Sequence, residues 1–183
     1  MTDQRGGSAR AARVPRRITP DYLQRAAMHY LERYSVPAAQ LRKVLARKIA
    51  LSCRHHGEAT TSHEAALEDV VARCVASGLV DDRRFAEARA ATLRRKGQSQ
   101  RAVAAKLAAK GVPRELVGEI AAAEAVDELA AARVAARRRR LGPWRAKDAR
   151  AEFRQRDFAT LARLGFDDAT ARAVIDGEAE TVF

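Results

Sequence analysis

Few residues in this chain are of types that do chemistry, and their spacing scatters them. Cys53, His55, His56, His63 and Cys74 offer thiol and imidazole groups, the ligands zinc prefers. Their spacing fits no paired-ligand motif, and Cys74 falls on the apolar stripe of a helix, so no metal site is expected. His55 and His56 read as members of a solvated loop. Asp81 and Asp82 form an adjacent carboxylate pair, but neither a third ligand nor a nucleophile stands near them. Adjacent acids at a helix start cap free amides and complement the helix dipole, which is the role expected here. Phosphate-loop, dinucleotide-binding and hydrolase-elbow motifs are absent. The expectation is a chain without catalytic residues, cofactor or small-molecule substrate.

Positive charge is what remains. Thirty-five Lys and Arg against twenty-three Asp and Glu give a net charge of +12, which fits a polyanion or an acidic protein surface as partner. The densest segment holds Arg133, Arg137, Arg138, Arg139, Arg140, Arg145 and Lys147, with Arg150 beside them and only Asp148 against them. These can clamp phosphates or carboxylates bidentately, or simply be solvated: four consecutive helical arginines point in about four directions. Arg94, Arg95 and Lys96 form a second group, for which the negative pole of a helix end is a sufficient structural reason. Arg101 follows, and Lys106 with Lys110 makes an i, i+4 pair that suits a binding face and a soluble face equally. Aromatics are 5% of residues, with Phe85, Phe153 and Phe158 where helix cores need them, so base stacking is not the expected mode of binding. Trp144 is expected to be buried. The segment from Asp167 to Glu180 is acidic.

The elements that must position these groups are helices. Hydrophobic content of 47%, charged content of 32% and abundant Ala, Leu, Arg and Glu predict an all-α fold. Residues 1–18 contain Gly6, Gly7, Pro15 and five arginines and read as a disordered basic tail. Thr19-Pro20 starts a helix whose stripe is Leu23, Ala27, Tyr30, Leu31 and Tyr34. Ser35 and Pro37 start a second, with Leu41, Val44, Leu45 and Ile49 on one face. A polar loop over Ser52 to Thr60 is expected next, then a capping box of Thr61 and Glu64 ahead of Leu67, Val70, Val71, Cys74 and Val75, ended by Gly78. Asp81 or Asp82 opens a helix burying Phe85, Ala88, Thr92 and Leu93 and stopping at Gly97. Ser99 caps one burying Val103, Ala104, Leu107 and Ala108, ended by Gly111. Residues 113–140 make one helix or two broken near Ala122 to Glu124. After Gly142-Pro143, Phe153, Phe158 and Leu161 belong to one helix and Ala171, Val174 and Ile175 to the last.

Three strings repeat at expected helix ends: Leu45-Ala-Arg-Lys-Ile49, Leu107-Ala-Ala-Lys-Gly-Val112 and Leu161-Ala-Arg-Leu-Gly-Phe166. Each has one helix before it and another after. The chain thus divides into three three-helix units, over 19–78 (with an inserted loop near 52–60), 79–123 and 124–177, followed by a tail over 178–183. Such small units must share apolar faces, which predicts an elongated, curved array offering one surface per unit to a long partner.

The order Gly78-Leu-Val-Asp81-Asp82-Arg-Arg-Phe85-Ala86-Glu, Gly97, Leu107-Ala-Ala-Lys110-Gly111-Val112 resembles the central signature of the RecX family. Tyr30-Leu31, Ser35, Leu41 and Leu45-Ala-Arg-Lys48 are similar to the family's first repeat, and Leu161-Ala-Arg-Leu-Gly165-Phe166 to its last. The likeness covers roughly residues 19–177. Two features depart from it: Ile49 replaces the usual glycine, and the connection after it is long.

The resemblance implies a modulator of the RecA recombinase that lies in the groove of the RecA filament on DNA and inhibits ATP hydrolysis, strand exchange and LexA cleavage. It would act in the SOS response and in homologous recombination. Repeated weak contacts along a filament multiply through effective concentration. Nonspecific DNA contacts are expected of any chain this basic. The alternative is a helix-turn-helix repressor or architectural protein on duplex DNA, although no Asn occurs and the arginines are dispersed. Two cysteines, no apolar run near the roughly 20 residues that span a bilayer and no apolar signal segment predict a cytoplasmic monomer with no membrane role.

Overall fold

The computed structural model describes residues 14–123 and 128–178, and all regular structure among them is helical. The helices are α1 (Pro20–Leu31), α2 (Ala38–His56), α3 (Glu64–Ala76), α4 (Asp82–Arg95), α5 (Gln100–Ala109), α6 (Arg114–Ala123), α7 (Glu128–Arg139), α8 (Arg150–Arg163) and α9 (Asp168–Ile175). Short 3-10 turns occupy Thr60–His63, Gly142–Trp144 and Lys147–Ala149. The fold is all-α, as composition predicts. Helices α1–α3, α4–α6 and α7–α9 pack among themselves around three separate apolar clusters, centred on Leu45, Leu107 and Leu161. The first cluster also takes in Val80, just past the expected boundary at 78. Of the tails expected over 1–18 and 178–183, residues 1–13 and 179–183 lie outside the described residues, as does the connection 124–127 between α6 and α7.

Polar residues set four of the helix starts. The side chains of Thr19, Asp81, Ser99 and Asp167 accept hydrogen bonds from the amides of Tyr22, Arg84, Ala102 and Thr170. Each satisfies a donor that the first turn leaves unpaired. The repeated leucines Leu45, Leu107 and Leu161 are all buried. After the second and third, Gly111 and Gly165 turn left-handed, and the amides of Val112 and Phe166 bond back to the carbonyls of Leu107 and Leu161.

In the first string Ile49 stands in that glycine's place, and the helix does not stop. The stripe continues through buried Ser52 and Cys53 to Gly57, so the loop expected over 52–60 is instead mostly the last two turns of α2. Ser52 is tolerated inside because its hydroxyl donates to the Arg16 carbonyl at 2.8 Å. His55 and His56 therefore lie on a helix rather than in a loop, His56 Nε2 sitting 2.8 Å from the Pro15 carbonyl oxygen.

Several other expectations are corrected. The last residues of the expected tail, from Pro15 on, are docked: besides these two backbone bonds, Ile18 is buried in the first cluster. Helix α1 ends at Leu31, which leaves Tyr34 54% exposed. Thr61 does not cap α3; it lies in a 3-10 turn, and α3 begins without a side-chain cap. Val75 is exposed. The buried positions of α4 are Ala86, Ala90, Leu93 and Arg94; Phe85 packs half-buried on the Leu107 cluster, as expected, but Ala88 is exposed and Thr92 only half-buried, because α4 packs on α7 as well as on α5 and α6.

Two junctions join consecutive clusters. Pro37, at the start of α2, has no side chain to cap the helix, and the Asp82 carboxylate of α4 accepts from Ala38 N at 2.7 Å instead. At the second junction Gly97, with φ +74°, lies so close to α7 that a Cβ there would sit 2.7 Å from Ala135 N and 3.1 Å from the Ala131 carbonyl oxygen. Gly97→Ala is expected to lower the unfolding free energy by at least about 1–3 kcal/mol for the left-handed backbone alone. Gly118, on the exposed side of α6 with open space around it, predicts the opposite: Gly118→Ala raises stability by roughly 0.5–1 kcal/mol. Urea unfolding of the two variants checks both signs.

Candidate functional site

Two of the basic residues predicted to bind a partner are structural. Arg94 is 5% exposed, donates to the Gln98 carbonyl at 3.0 Å and pairs with Glu128 at the start of α7. Glu128 in turn accepts from Gln100 N at 3.1 Å, so one carboxylate ties the end of α4, the start of α5 and the start of α7 together. Arg145 is turned inward as well. Its guanidinium forks onto buried Asp157 with bonds of 2.9 and 2.6 Å and lies 4.5 Å above the Phe153 ring. Arg94 and Arg145 thus direct their guanidinium groups to carboxylate partners distant in sequence.

Six of the remaining cations lie where α4 and α7 end. Arg138 of α7 donates to the Lys96 carbonyl at 3.3 Å, which sets the last turn of α7 beside the end of α4. Arg95, Lys96, Arg137, Arg138, Arg139 and Arg140 are all exposed there, and none forms an ion pair with a carboxylate among the described residues. Arg140 is not helical: it takes φ +55°, and the Leu141 amide closes α7 onto the Ala136 carbonyl at 2.9 Å. Arg101 is exposed at the start of α5, beside Gly165. The two residues of the expected Lys106–Lys110 pair part company, Lys106 bonding Gln98 and Lys110 facing a different cleft. Arg133 is half-buried and Lys147 is exposed. Cations at these helix ends also complement the negative poles of α4 and α7, so their placement serves stability and surface potential together.

The cleft that Lys110 faces lies where α1 and its following loop meet α2, α4 and α5. About 370 Å³ in volume, it brings Arg33, Arg89 and Lys110 around the Tyr30 and Tyr34 rings, whose centroids are 5.0 Å apart, with no acidic residue in its lining. The sequence reading missed Arg33, Arg89 and the tyrosines, because it carried α1 on to Tyr34 and assigned both rings to the core. The signal available was Ser35–Pro37, which interrupts the helix before Tyr34 is covered.

The acidic groups act as internal partners. Asp81 and Asp82 cap helices, as expected, although Asp82 serves α2 rather than its own helix. Asp176 receives a fork from Arg154, and Asp168 pairs with Arg172. Burial pushes the Asp157 carboxyl up, but the Arg145 fork, the Gly142 amide and nearby Arg156 together outweigh it and hold the group below its ordinary 3.8. Cys74 is buried in the first cluster, and desolvation raises its thiol above the ordinary value, which leaves it unreactive. Trp144 is half-buried against the third cluster. Of the zinc-type ligands, Cys53 and His63 come together, with Glu58 between them in sequence, while Cys74 does not join them.

Two stability predictions follow from these pairs. Arg94→Ala leaves Glu128 without its guanidinium and is expected to cost about 3 kcal/mol in urea unfolding, whereas Arg139→Ala leaves the midpoint unchanged. Because the Asp157 carboxyl is lowered in the folded state, its contribution is full above 3.8 and disappears as pH falls through the lowered value. Acid titration of stability should show that loss, and Asp157→Asn should remove it.

The family model described as RecX, second three-helix domain, matches residues 81–119, the segment that runs through α4, α5 and the first half of α6. The Regulatory protein RecX of Myxococcus xanthus (strain DK1622) is 42% identical over 183 residues, covering 96% of this chain and 98% of that protein. The Regulatory protein RecX of Agrobacterium fabrum (strain C58 / ATCC 33970) is 30% identical over 179 residues, covering 96% and 95%. No solved structure matches at a significant level. Full-length identity of this extent, together with three-helix packing in the matched segment, places the chain in the RecX family of regulatory proteins.

Proposed function

We propose that the protein is a non-enzymatic regulator that binds the RecA filament on DNA and inhibits its ATP hydrolysis, strand exchange and coprotease activity, and so regulates DNA repair and recombination. The observation that carries this reading is the basic rim at the α4–α7 junction. Arg95, Lys96 and Arg137 to Arg140 are exposed together there, without internal carboxylate partners among the described residues. Such a rim attracts phosphates and acidic protein surfaces alike, and a nucleoprotein filament presents both.

Three helix triplets in series, over 19–78, 79–123 and 124–177, form an elongated array in this reading, which meets several protomers with one small surface each. In this reading Lys106, Arg133, Lys147 and Arg101 add further cationic contacts. The cleft of Arg33, Arg89 and Lys110 adds a second cationic contact. The protein acts as a cytoplasmic monomer and needs no cofactor. No helix among the described residues is long and apolar enough to cross a membrane.

RecA-dependent ATP hydrolysis on single-stranded DNA, at physiological salt and with this protein well below the RecA concentration, tests the proposal. Loss of hydrolysis is expected. Replacing Arg137, Arg138 and Arg139 together by Glu should raise the half-inhibitory concentration at least about tenfold, equivalent to roughly 1.4 kcal/mol, with helicity unchanged. No effect on hydrolysis, combined with sequence-selective binding to a duplex in the absence of RecA, would replace this reading with the helix-turn-helix one.

A further inference from the structure

We infer that the first helix triplet holds a zinc site made by Cys53, Glu58 and His63, which the spacing of these residues in sequence does not announce. The Cys53 Sγ, a Glu58 carboxylate oxygen and a His63 ring nitrogen all lie within 4.8 Å of one another. The His63 Nε2 to Glu58 Oε2 distance is already 3.3 Å. Zinc bonds of about 2.0–2.3 Å in a tetrahedron set ligand atoms roughly 3.3–3.8 Å apart, so closing the triad requires a contraction of about 1.5 Å at most. The segment that must move is short. Gly57, in a left-handed conformation with nothing near it, and Ala59 flank Glu58, and His63 ends the 3-10 turn that follows.

The surroundings suit a cation. Cys53 lies in the last turns of α2, and its carbonyl accepts from the Gly57 and Glu58 amides, so the negative pole of a 19-residue helix ends at the site. The thiol is 3% exposed and the side chains of Glu58 and His63 are 26% and 16% exposed, which shields the ligand set while leaving one open side. That side is a cavity of about 520 Å³ lined by Glu58, His63, Ser62 and Thr19 together with Arg17, from which a water would complete the tetrahedron. Arg17 opposes the ion, but it bonds Glu58 Oε1 from the solvent side with its own side chain 69% exposed, and Oε2 remains turned to His63. The donor set of thiolate, imidazole and carboxylate is borderline-soft, which selects zinc over magnesium or calcium. On binding, the thiol proton leaves to solvent and the ion joins the end of α2 to the turn before α3.

The test uses the full-length, untagged protein freed of metal with a chelator, titrated with cobalt chloride and then zinc chloride. One equivalent of cobalt is expected to produce a thiolate-to-cobalt charge-transfer band that zinc abolishes, and zinc should raise Tm. Cys53→Ser should lose the band and Cys74→Ala should keep it. His63→Asn and Glu58→Gln, whose side chains lie at the surface of the triplet and leave its core intact, should weaken zinc by at least the roughly 10–100-fold that losing a supporting group costs. No band in the wild-type protein, a band that survives Cys53→Ser, or unchanged zinc affinity in His63→Asn would overturn the inference. None of these readouts depends on a filament.

Discussion

The contact on which the larger arrangement depends is the approach of the α4 end onto the α7 backbone. Gly97 can lie there because α7 presents Ala131, Ala132, Ala135 and Ala136 to its neighbours, and a Cβ at position 97 would already meet the Ala135 nitrogen. Glu128 holds this approach in place, taking the Arg94 guanidinium on one side and the Gln100 amide on the other. The Ser99 hydroxyl, which donates to the Leu164 carbonyl at 2.6 Å, adds a further tie to the same region. With the junction closed in this way, the last turn of α7 is tied beside the end of α4 through Arg138 and the Lys96 carbonyl, with exposed Arg95, Arg137 and Arg139 next to them in sequence.

The junction between α2 and α4 follows the same economy with different groups. A helix start that lacks its own cap takes one from the next triplet through Asp82, and Ala39 lies where a Cβ on Gly111 would fall, 2.6 Å away. Small residues let backbones meet and one polar side chain fixes the register. Alanine-rich helices bury little surface each, so unpaired amides and carboxylates at their ends carry more of the specificity than in a protein with large cores.

Seen this way the net charge of +12 has two parts. Some of the cations are consumed inside the fold, by Glu128 and Asp157 as buried partners and by Glu58, Glu68, Glu119 and Asp176 nearer the surface. Others, among them Arg95 and Arg137 to Arg139, stand in the last turns of α4 and α7, where the backbone dipole already favours them. A basic surface at these helix ends therefore arises without a local stability penalty. The first triplet is built differently from the others, since its second helix runs on to His56 and carries Cys53 to the base of the following turn.

Local sequence alone determined most of the helices, the caps at Thr19 and Ser99 with Asp81 as one of two candidates, and which leucine anchors each apolar cluster, because caps and stripes depend on residues within a turn or two of one another. It also carried the family likeness. Tertiary structure decided the rest. Nothing near Arg94 marks it as internal, since its carboxylate lies 34 residues away, and Arg145 differs from Arg139 only through an Asp one helix later. The buried face of α4 shifted off its predicted stripe because two sets of neighbours claim that helix, which one helix's periodicity does not report. Ile49 showed as a departure from the repeat, yet its consequence, two further turns of α2 and the meeting of Cys53 with Glu58 and His63, required the packing around Ser52 to be known. Periodicity records one face of one element; partnership between charges is a property of the assembled chain.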